Sequence, residues 1–123
     1  MSEIRLLVVD DHEVVRQGVR SVLTRYVGWE VCGEAVDGED AIEKAKFLLP
    51  DVIILDIRMP RLGGLEAAKA IKTQLPKTRI LFLTQHDAAA ILPLALQSGG
   101  QALVSKYEMD SRLIPAIKAL LEH

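Results

Sequence analysis

The chain has 123 residues, enough for one domain whose core buries roughly two thirds of the unfolded surface. Hydrophobic residues make up 50% of it and aromatic residues only 4%, so the core must be aliphatic. A net charge of -2 argues against direct electrostatic binding to nucleic acid or anionic membrane. With one cysteine, Cys32, no leader, and no apolar run near roughly 18 residues, the sequence predicts a protein of the reducing cytosol.

The first half of the chain predicts two strands, each followed by a helix. An apolar run over Ile4–Val9 ends on Asp10 and Asp11, which predicts a buried strand closed by two acids. Apolar residues then recur at helical spacing, at Val14, Val15, Gly18, Val19, Val22 and Leu23. The pattern over Trp29–Ala35 predicts a second strand, and that over Glu39–Leu49 predicts a helix, with Leu48 and Leu49 on its apolar face, stopped by Pro50.

Three further strand and helix pairs are predicted in the second half. The short apolar run that ends on Asp56 is typical of a strand buried on both faces. The predicted elements are strands over Val52–Asp56, Arg79–Thr84 and Ala102–Ser105, a helix over Leu65–Leu75, a helix from the N-cap Asp87 to Ser98, and a helix from Ser111, capped by Asp110, to Leu121.

Regular alternation of strands and helices predicts a parallel sheet with helices on both faces. We therefore expect a three-layer, doubly wound α/β fold of the flavodoxin-like type, with five strands in the order 2-1-3-4-5. In such sheets ligands bind in the crevice beyond the carboxyl ends of the strands. The first and third strands are neighbours in this order, so their terminal acids open into the same crevice.

Polar side chains end four of the predicted strands at this edge: Asp10 and Asp11, Asp56, Thr84 and Lys106. Packing gives no reason for such a repeated pattern, which favours a functional cleft. Three converging carboxylates repel one another unless a cation lies among them, and oxygen ligands suit a hard divalent ion such as Mg2+. The sequence therefore predicts a Mg2+ site.

The same residues suit phosphoryl transfer to a carboxylate. An aspartate can attack phosphorus to form an aspartyl phosphate, although its charge opposes the anionic donor. Mg2+ and Lys106 would offset that repulsion, and the Thr84 hydroxyl could donate a hydrogen bond. Asp56, on the central strand, is the predicted acceptor, and Asp10 and Asp11 are the predicted metal ligands.

From about Ile4 to Leu121 the chain resembles the response regulator receiver domain, the CheY-like phosphoacceptor of bacterial two-component signalling. The motifs that carry the resemblance are Asp10-Asp11, Asp56 with Met59-Pro60 and Gly64, Thr84, and Lys106. The segment Leu7–Gly18 is further similar to the NarL/LuxR branch, whose members usually carry a C-terminal helix-turn-helix DNA-binding domain that this sequence lacks. We assign residues 1–121 to the receiver domain and interpret 122–123 as the remnant of an expression tag, the alternative being a natural end on the last helix.

The resemblance implies a non-enzymatic switch in which Asp56 accepts phosphate from a sensor histidine kinase or a small acyl phosphate. It implies Mg2+ held by Asp11 directly, by Asp10 mainly through water, by Asp56, and by the backbone carbonyl of Arg58. Lys106 would bind the phosphoryl group. Thr84 would move toward that group, and this movement would change the face formed by helix 4, strand 5 and helix 5. The resemblance further implies homodimerisation on activation and control of transcription through the missing output domain.

The sequence departs from the family pattern at several positions. Leu103 stands where the family usually has the aromatic residue coupled to the threonine, and Gln85 is bulky where a small residue is common, which could narrow access to Asp56.

Pro93 should kink the fourth helix or delay its start, whereas Pro115 is expected in the first turns of the last helix. The surplus of apolar residues in the fourth helix is either core or a partner surface: Ile91, Leu92, Leu94 and Leu96. We therefore expect Asp56 to be phosphorylated, more slowly if Gln85 narrows access to it. We expect the response to pass through repacking or dimerisation of helix 4.

Three other functions share parts of this pattern. A haloacid-dehalogenase-type phosphatase needs a second acid two residues after its nucleophile, where this chain has Arg58. A flavodoxin-like FMN binder needs a phosphate loop after the first strand, where Asp10 and Asp11 would repel the phosphate. The strongest alternative is an atypical receiver that acts by protein contact without phosphorylation.

Overall fold

The computed structural model describes residues 4–85 and 88–122. Within them, strands and helices alternate along the whole chain. The elements are β1 (Ile4–Val9), α1 (Glu13–Leu23), β2 (Trp29–Ala35), α2 (Gly38–Leu48), β3 (Val52–Asp56), α3 (Gly64–Gln74), β4 (Arg79–Thr84), α4 (Ala88–Gln97), β5 (Ala102–Ser105), a single 3₁₀ turn (Lys106–Glu108) and α5 (Met109–Leu121). No helix among the described residues is both long enough and apolar enough to span a membrane.

The strands form one parallel sheet in the order β2-β1-β3-β4-β5, which confirms the predicted fold class and strand order. Every residue of the central strand β3 is buried, and its side chains alternate between two apolar layers. Ile54 packs in the layer under α1 and α5, whereas Ile53 and Leu55 pack in the layer under α2 and α3. Parallel pairing brings the carboxyl ends of all the strands to one edge.

The last helix differs from the prediction at its start. Ser105 accepts a hydrogen bond from the Tyr107 amide, and the resulting 3₁₀ turn runs directly into α5 at Met109, with Glu108 as the N-cap. The predicted cap at Asp110 and start at Ser111 are therefore wrong. Pro115 consequently lies in the interior of α5 and not in its first turns.

Helix α4 runs continuously through Pro93, so the expected late start is wrong. Its predicted cap, Asp87, lies outside the described residues. Two residues assigned to buried helix faces are also exposed. Val14 is 79% exposed on the first turn of α1, and Leu49 is the left-handed C-cap of α2, 60% exposed. In both cases the helical periodicity of the sequence assigned the residue to the apolar face. Each residue lies at an end of its helix, where no neighbouring element among the described residues covers the side chain.

Gly64, the first residue of α3, approaches the end of β3 closely. A Cβ atom at this position would lie 2.0 Å from the backbone oxygen of Asp56. The Gly64 amide also donates a 2.8 Å hydrogen bond to the Ile57 carbonyl, which closes the loop between β3 and α3. The missing side chain thus allows α3 to begin directly against the strand end that carries Asp56.

Replacing Gly64 with alanine should lower the free energy of unfolding by about 2 kcal/mol or more, because the backbone oxygen of Asp56 has no room to retreat. Gly18→Ala in the interior of α1 is the matched control, since its added Cβ would lie 3.7 Å from the nearest atom of Met109. Helix propensity predicts that this control stabilises the protein by up to about 1 kcal/mol. Urea unfolding measures both, and equal effects would contradict the close approach.

Candidate functional site

The polar residues predicted at the strand ends come together around one ammonium group. Lys106, directly after β5, places its Nζ atom 2.8 Å from Oδ2 of Asp10 and 3.1 Å from Oδ1 of Asp56. Asp10 follows β1 and is fully buried, and Asp56 ends β3 at 5% exposure. Two buried carboxylates from adjacent strands therefore share one half-buried lysine, which follows the edge strand β5.

Hydrogen bonds hold the turn between β1 and α1 in place. The Asp10 amide donates to the Ala35 carbonyl of β2 at 3.1 Å, and the Asp10 carbonyl accepts from Nη1 of Arg16 at 2.8 Å. Nε of Arg16 in turn lies 2.9 Å from the Glu34 carboxylate. The backbone of Asp10 is thus fixed from both β2 and α1, which orients its side chain toward Lys106.

Two carboxylate oxygens in this turn are buried: Oδ2 of Asp10 is paired with the Lys106 ammonium, whereas Oδ1 of Asp11 accepts no hydrogen bond from the described residues. His12 adds its Nδ1 atom at 3.2 Å from Oδ1 of Asp11. One ligand atom each from Asp10, Asp11 and His12 lies within 4.8 Å of the others. The buried, unsatisfied Oδ1 of Asp11 fits a divalent cation, because a metal ion would compensate its lost hydration.

His12 was not among the residues predicted for the site. It follows the two acids directly in sequence, and that adjacency was the available signal. Its backbone amide donates to Oδ1 of Asp10 at 2.9 Å, so the same turn that fixes Asp10 brings the imidazole to the acids.

A cavity of about 120 Å³ opens beside Asp56. Thr84, the buried last residue of β4, lines it together with Lys106, while Gln85 and Arg58 lie exposed at its rim. Gln85, predicted to narrow access to Asp56, thus lines the cavity beside it. Leu103 does not line this cavity. It packs against the apolar layer that includes Ile91 and borders a separate groove near α5.

The charges in this cluster shift the pKa of its members. Burial, reinforced by the charge of Asp10 and opposed by Lys106, raises the pKa of Asp56 from 3.8 to about 6. For Lys106, burial lowers the pKa, but the hydrogen bond to Asp10 and the charges of Asp56 and Asp10 outweigh it, so its pKa is raised. Lys106 is therefore charged at neutral pH, and the ionised form of Asp56 is disfavoured relative to an exposed aspartate.

The raised pKa of Asp56 makes its charge costly to the folded state. Because the native pKa of about 6 exceeds 3.8, the contribution of Asp56 to stability is full below 3.8 and is lost as the pH rises through 6. Asparagine cannot ionise, so Asp56→Asn removes this loss. The gain in free energy of unfolding over the unmodified chain should therefore be about 2 kcal/mol larger near pH 7.5 than near pH 4.5. Chemical unfolding at both pH values tests this. Asn in place of the exposed Asp110 should show no such difference, and equal behaviour of the two variants would count against the raised pKa.

The chain matches the family model described as "Response regulator receiver domain" over residues 6–118. It is 40% identical over 117 residues to the uncharacterized transcriptional regulatory protein YxjL of Bacillus subtilis (strain 168), covering 95% of this chain and 54% of that protein. The chain spans about half the length of the curated relatives it matches, with coverage of 51% and 54% for two others.

Two solved structures show the same fold. A LuxR-family two-component response regulator from Aurantimonas sp. SI85-9A1 has a TM-score of 0.93 at 34% identity, covering 98% of this chain and 86% of that one. The isolated REC domain of RcsB from Salmonella enterica serovar Typhimurium, solved in the presence of phosphomimetic BeF3-, has a TM-score of 0.87 at 30% identity, with coverage of 97% and 88%. The strand order, the acidic edge of the sheet and these matches agree, and the chain belongs to the response regulator receiver domain family, in its NarL/LuxR branch.

Proposed function

We propose that this receiver domain is switched by Mg2+-dependent transfer of a phosphoryl group from a sensor histidine kinase to Asp56. The observation that supports this most directly is the Lys106 ammonium, whose side chain is only 9% exposed and lies within 3.1 Å of Asp56 and beside the Asp56 cavity. An ammonium in that position neutralises charge on both the nucleophile and an incoming phosphoryl oxygen. A purely structural lysine would have no reason to border an open cavity.

In the proposed step, an Asp56 carboxylate oxygen attacks the phosphorus atom of phosphohistidine. An O–P bond forms while the P–N bond breaks, and its electron pair returns to the imidazole nitrogen of the kinase, which is left neutral or takes up a proton. With acetyl phosphate the leaving group is acetate. Lys106 stabilises one phosphoryl oxygen, and the Thr84 hydroxyl donates a hydrogen bond to another.

The residues that would hold Mg2+ are Asp11, Asp10 mainly through water, Asp56 and the backbone carbonyl of Arg58. The buried Oδ1 of Asp11, which accepts no hydrogen bond from the described residues, supports this assignment. When bound, Mg2+ supplies positive charge that offsets the repulsion between the carboxylate and the anionic donor. Asp11 and Asp10 contribute by presenting oxygen ligands from a turn that is already fixed in place.

The proposed response passes from Thr84 to α4. Leu103 has no aromatic ring that could turn inward behind Thr84, so repacking of β4 against α4 is the remaining route. The described part of α4, Ala88–Gln97, contains no charged residue, and three of its leucines are exposed at 42%, 48% and 56%: Leu92, Leu94 and Leu96. Leu92 and Leu96, four residues apart, lie side by side on one uncharged face of the helix. This face can meet a second copy of itself without like-charge repulsion, which supports dimerisation of the phosphorylated domain through α4.

The wider role follows from the relatives. Proteins about twice as long, described as transcriptional regulatory proteins, match this chain over about half their length. We infer that residues 1–121 are the receiver of a cytoplasmic transcription regulator, that 122–123 are a tag remnant, and that DNA is contacted only by an output domain outside this sequence. The alternative is an atypical receiver that signals by contact alone. Arg58, two residues after Asp56, argues against a phosphatase of the haloacid-dehalogenase type.

Incubation with acetyl phosphate and Mg2+ should add one phosphoryl group to Asp56, detected by intact-protein mass spectrometry and peptide mapping. Asp56→Asn should abolish the mass gain, and Lys106→Gln should slow it by about 100-fold, because the stabilising ammonium is lost. Lys69→Gln, on the exposed face of α3, is the matched control and should react like the unmodified chain. No mass gain on Asp56 would favour the contact-only alternative.

Beryllofluoride with Mg2+ should convert the domain to a dimer and shift the α4 amide resonances. Leu96→Glu should prevent dimerisation, because a charge in an apolar interface loses its hydration. Val14→Glu is the control, since Val14 is also an exposed apolar residue but lies on α1. Sedimentation velocity measures the outcome. A monomer throughout, with unchanged α4 resonances, would rule out the α4 route.

A further inference from the structure

Arg16 of α1 is a nearly buried arginine that contacts the backbone of the site and none of its carboxylates. Its side chain is only 14% exposed, although arginine is among the residues least often buried. Nη1 donates a 2.8 Å hydrogen bond to the carbonyl of Asp10, and Nε donates a 2.9 Å hydrogen bond to Oε1 of Glu34 on β2. The guanidinium therefore connects α1 both to the acidic turn and to the neighbouring strand.

The contacts of Arg16 close a ring of hydrogen bonds around Asp10. The Asp10 amide donates to the carbonyl of Ala35 at 3.1 Å, and Ala35 follows Glu34 directly in β2. Glu34 is held in turn by Arg20, whose Nη1 atom lies 2.7 Å from the second carboxylate oxygen, Oε2. Both backbone polar groups of Asp10 are thus bound to one two-residue segment of β2, the amide directly and the carbonyl through Arg16.

The charge of Arg16 opposes the binding of a cation at the acidic turn. The guanidinium is a fixed positive charge one hydrogen bond away from the backbone of Asp10, and such a charge repels Mg2+. Electrostatics alone therefore predicts that Mg2+ binds more tightly when Arg16 is removed. Any favourable effect of Arg16 on the ion must come from geometry, which a planar fork of donors can supply and a lysine ammonium cannot.

We propose that Arg16, oriented by Glu34, is a positioning residue for Mg2+. It holds the turn so that the carboxylates of Asp10 and Asp11 are presented before the ion arrives, and less ordering then accompanies binding. Oδ1 of Asp11, which is buried and accepts no hydrogen bond from the described residues, fits this role, because a looser turn would expose that oxygen to water. The inference rests on the proposed function, since it uses the Mg2+ site assigned there, and it adds two residues outside that site.

Isothermal titration with MgCl2, without any phosphoryl donor, tests the inference. Arg16→Gln should weaken the affinity for Mg2+ about tenfold, a loss typical of residues that orient metal ligands. Arg16→Lys keeps the charge but cannot bond Asp10 and Glu34 with one fork, so it should weaken the affinity at least about threefold. Arg25→Gln is the matched control, because this arginine pairs only with the exposed Asp110 among the described residues, and it should bind Mg2+ like the unmodified chain.

A double-mutant cycle separates orientation from charge. Glu34→Gln should weaken Mg2+ binding about threefold in the unmodified chain, because Arg16 loses its charged partner, and should have no further effect in Arg16→Gln. A Glu34 that acted through its own charge would cost the same affinity in both proteins.

Amide hydrogen exchange without Mg2+ gives a second readout. The His12 amide donates to Oδ1 of Asp10 and therefore reports whether that carboxylate is held in place. In Arg16→Gln it should exchange faster, and by a larger factor than the amide of Ile54 in the buried strand β3, which reports global unfolding. The Ile54 amide also verifies that each variant is folded.

Equal or tighter Mg2+ binding by Arg16→Gln would overturn the proposal. Unchanged binding by Arg16→Lys, equal costs of Glu34→Gln in both proteins, or exchange that rises by the same factor at His12 and Ile54 would also overturn it. These outcomes are distinguishable from failure of the proposed function. An unmodified chain that binds Mg2+ but gains no phosphoryl group contradicts only the proposed transfer, whereas one that binds no Mg2+ contradicts both.

Discussion

The site depends on the ion pairs that one ammonium makes with two buried carboxylates. Asp10 and Asp56 end adjacent strands, so the sheet brings their charges together whether or not a ligand is present. Lys106 comes from the far edge strand and reaches across to both, at 2.8 and 3.1 Å. Without that cation the two carboxylates would be buried with like charges, an arrangement that costs several kcal/mol. The positions of β1, β3 and β5 are therefore tied to the charge balance of one small cleft.

Lys106 does not neutralise all the negative charge of the cleft, and the remaining charge can take part in chemistry. Lys106 pairs with two of the three acids, Asp10 and Asp56, and the pKa of Asp56 remains raised despite it. A cleft left with excess negative charge attracts a divalent cation, and a cation in turn makes the approach of an anionic phosphoryl donor feasible. The proposed reactivity of Asp56 is thus opposed to the stability of the folded protein, because the same unfavourable charge serves one and weakens the other.

Much of this arrangement was predictable from the sequence because parallel sheets obey strict rules. Short apolar runs located every strand, and right-handed crossovers then required the acids of β1 and β3 to share a crevice with Lys106. Helix ends were harder to predict. The 3₁₀ turn after Ser105 advances the start of α5, and the exposure of Val14 and Leu49 reflects which neighbours cover a helix end. Periodicity alone contains neither kind of information.

His12 and α4 show the other limits of sequence reasoning. The imidazole of His12 lies close to the carboxylates of Asp10 and Asp11. That closeness depends on the conformation of the turn between β1 and α1, which the sequence pattern does not contain. For α4, composition left open whether its leucines are core or surface, and the structure settles this by burying Ala95 while exposing the leucines on either side, Leu94 and Leu96.

The hydrogen bond from Gly64 to Ile57 makes one wall of the cleft rigid. On the α3 side, the loop after Asp56 is closed by a 2.8 Å hydrogen bond, and the first residue of α3 is packed so tightly against the backbone of Asp56 that the helix cannot move closer to it. A group added at Asp56 therefore meets a wall on this side that cannot give way, and any displacement it causes must be taken up elsewhere around the cleft.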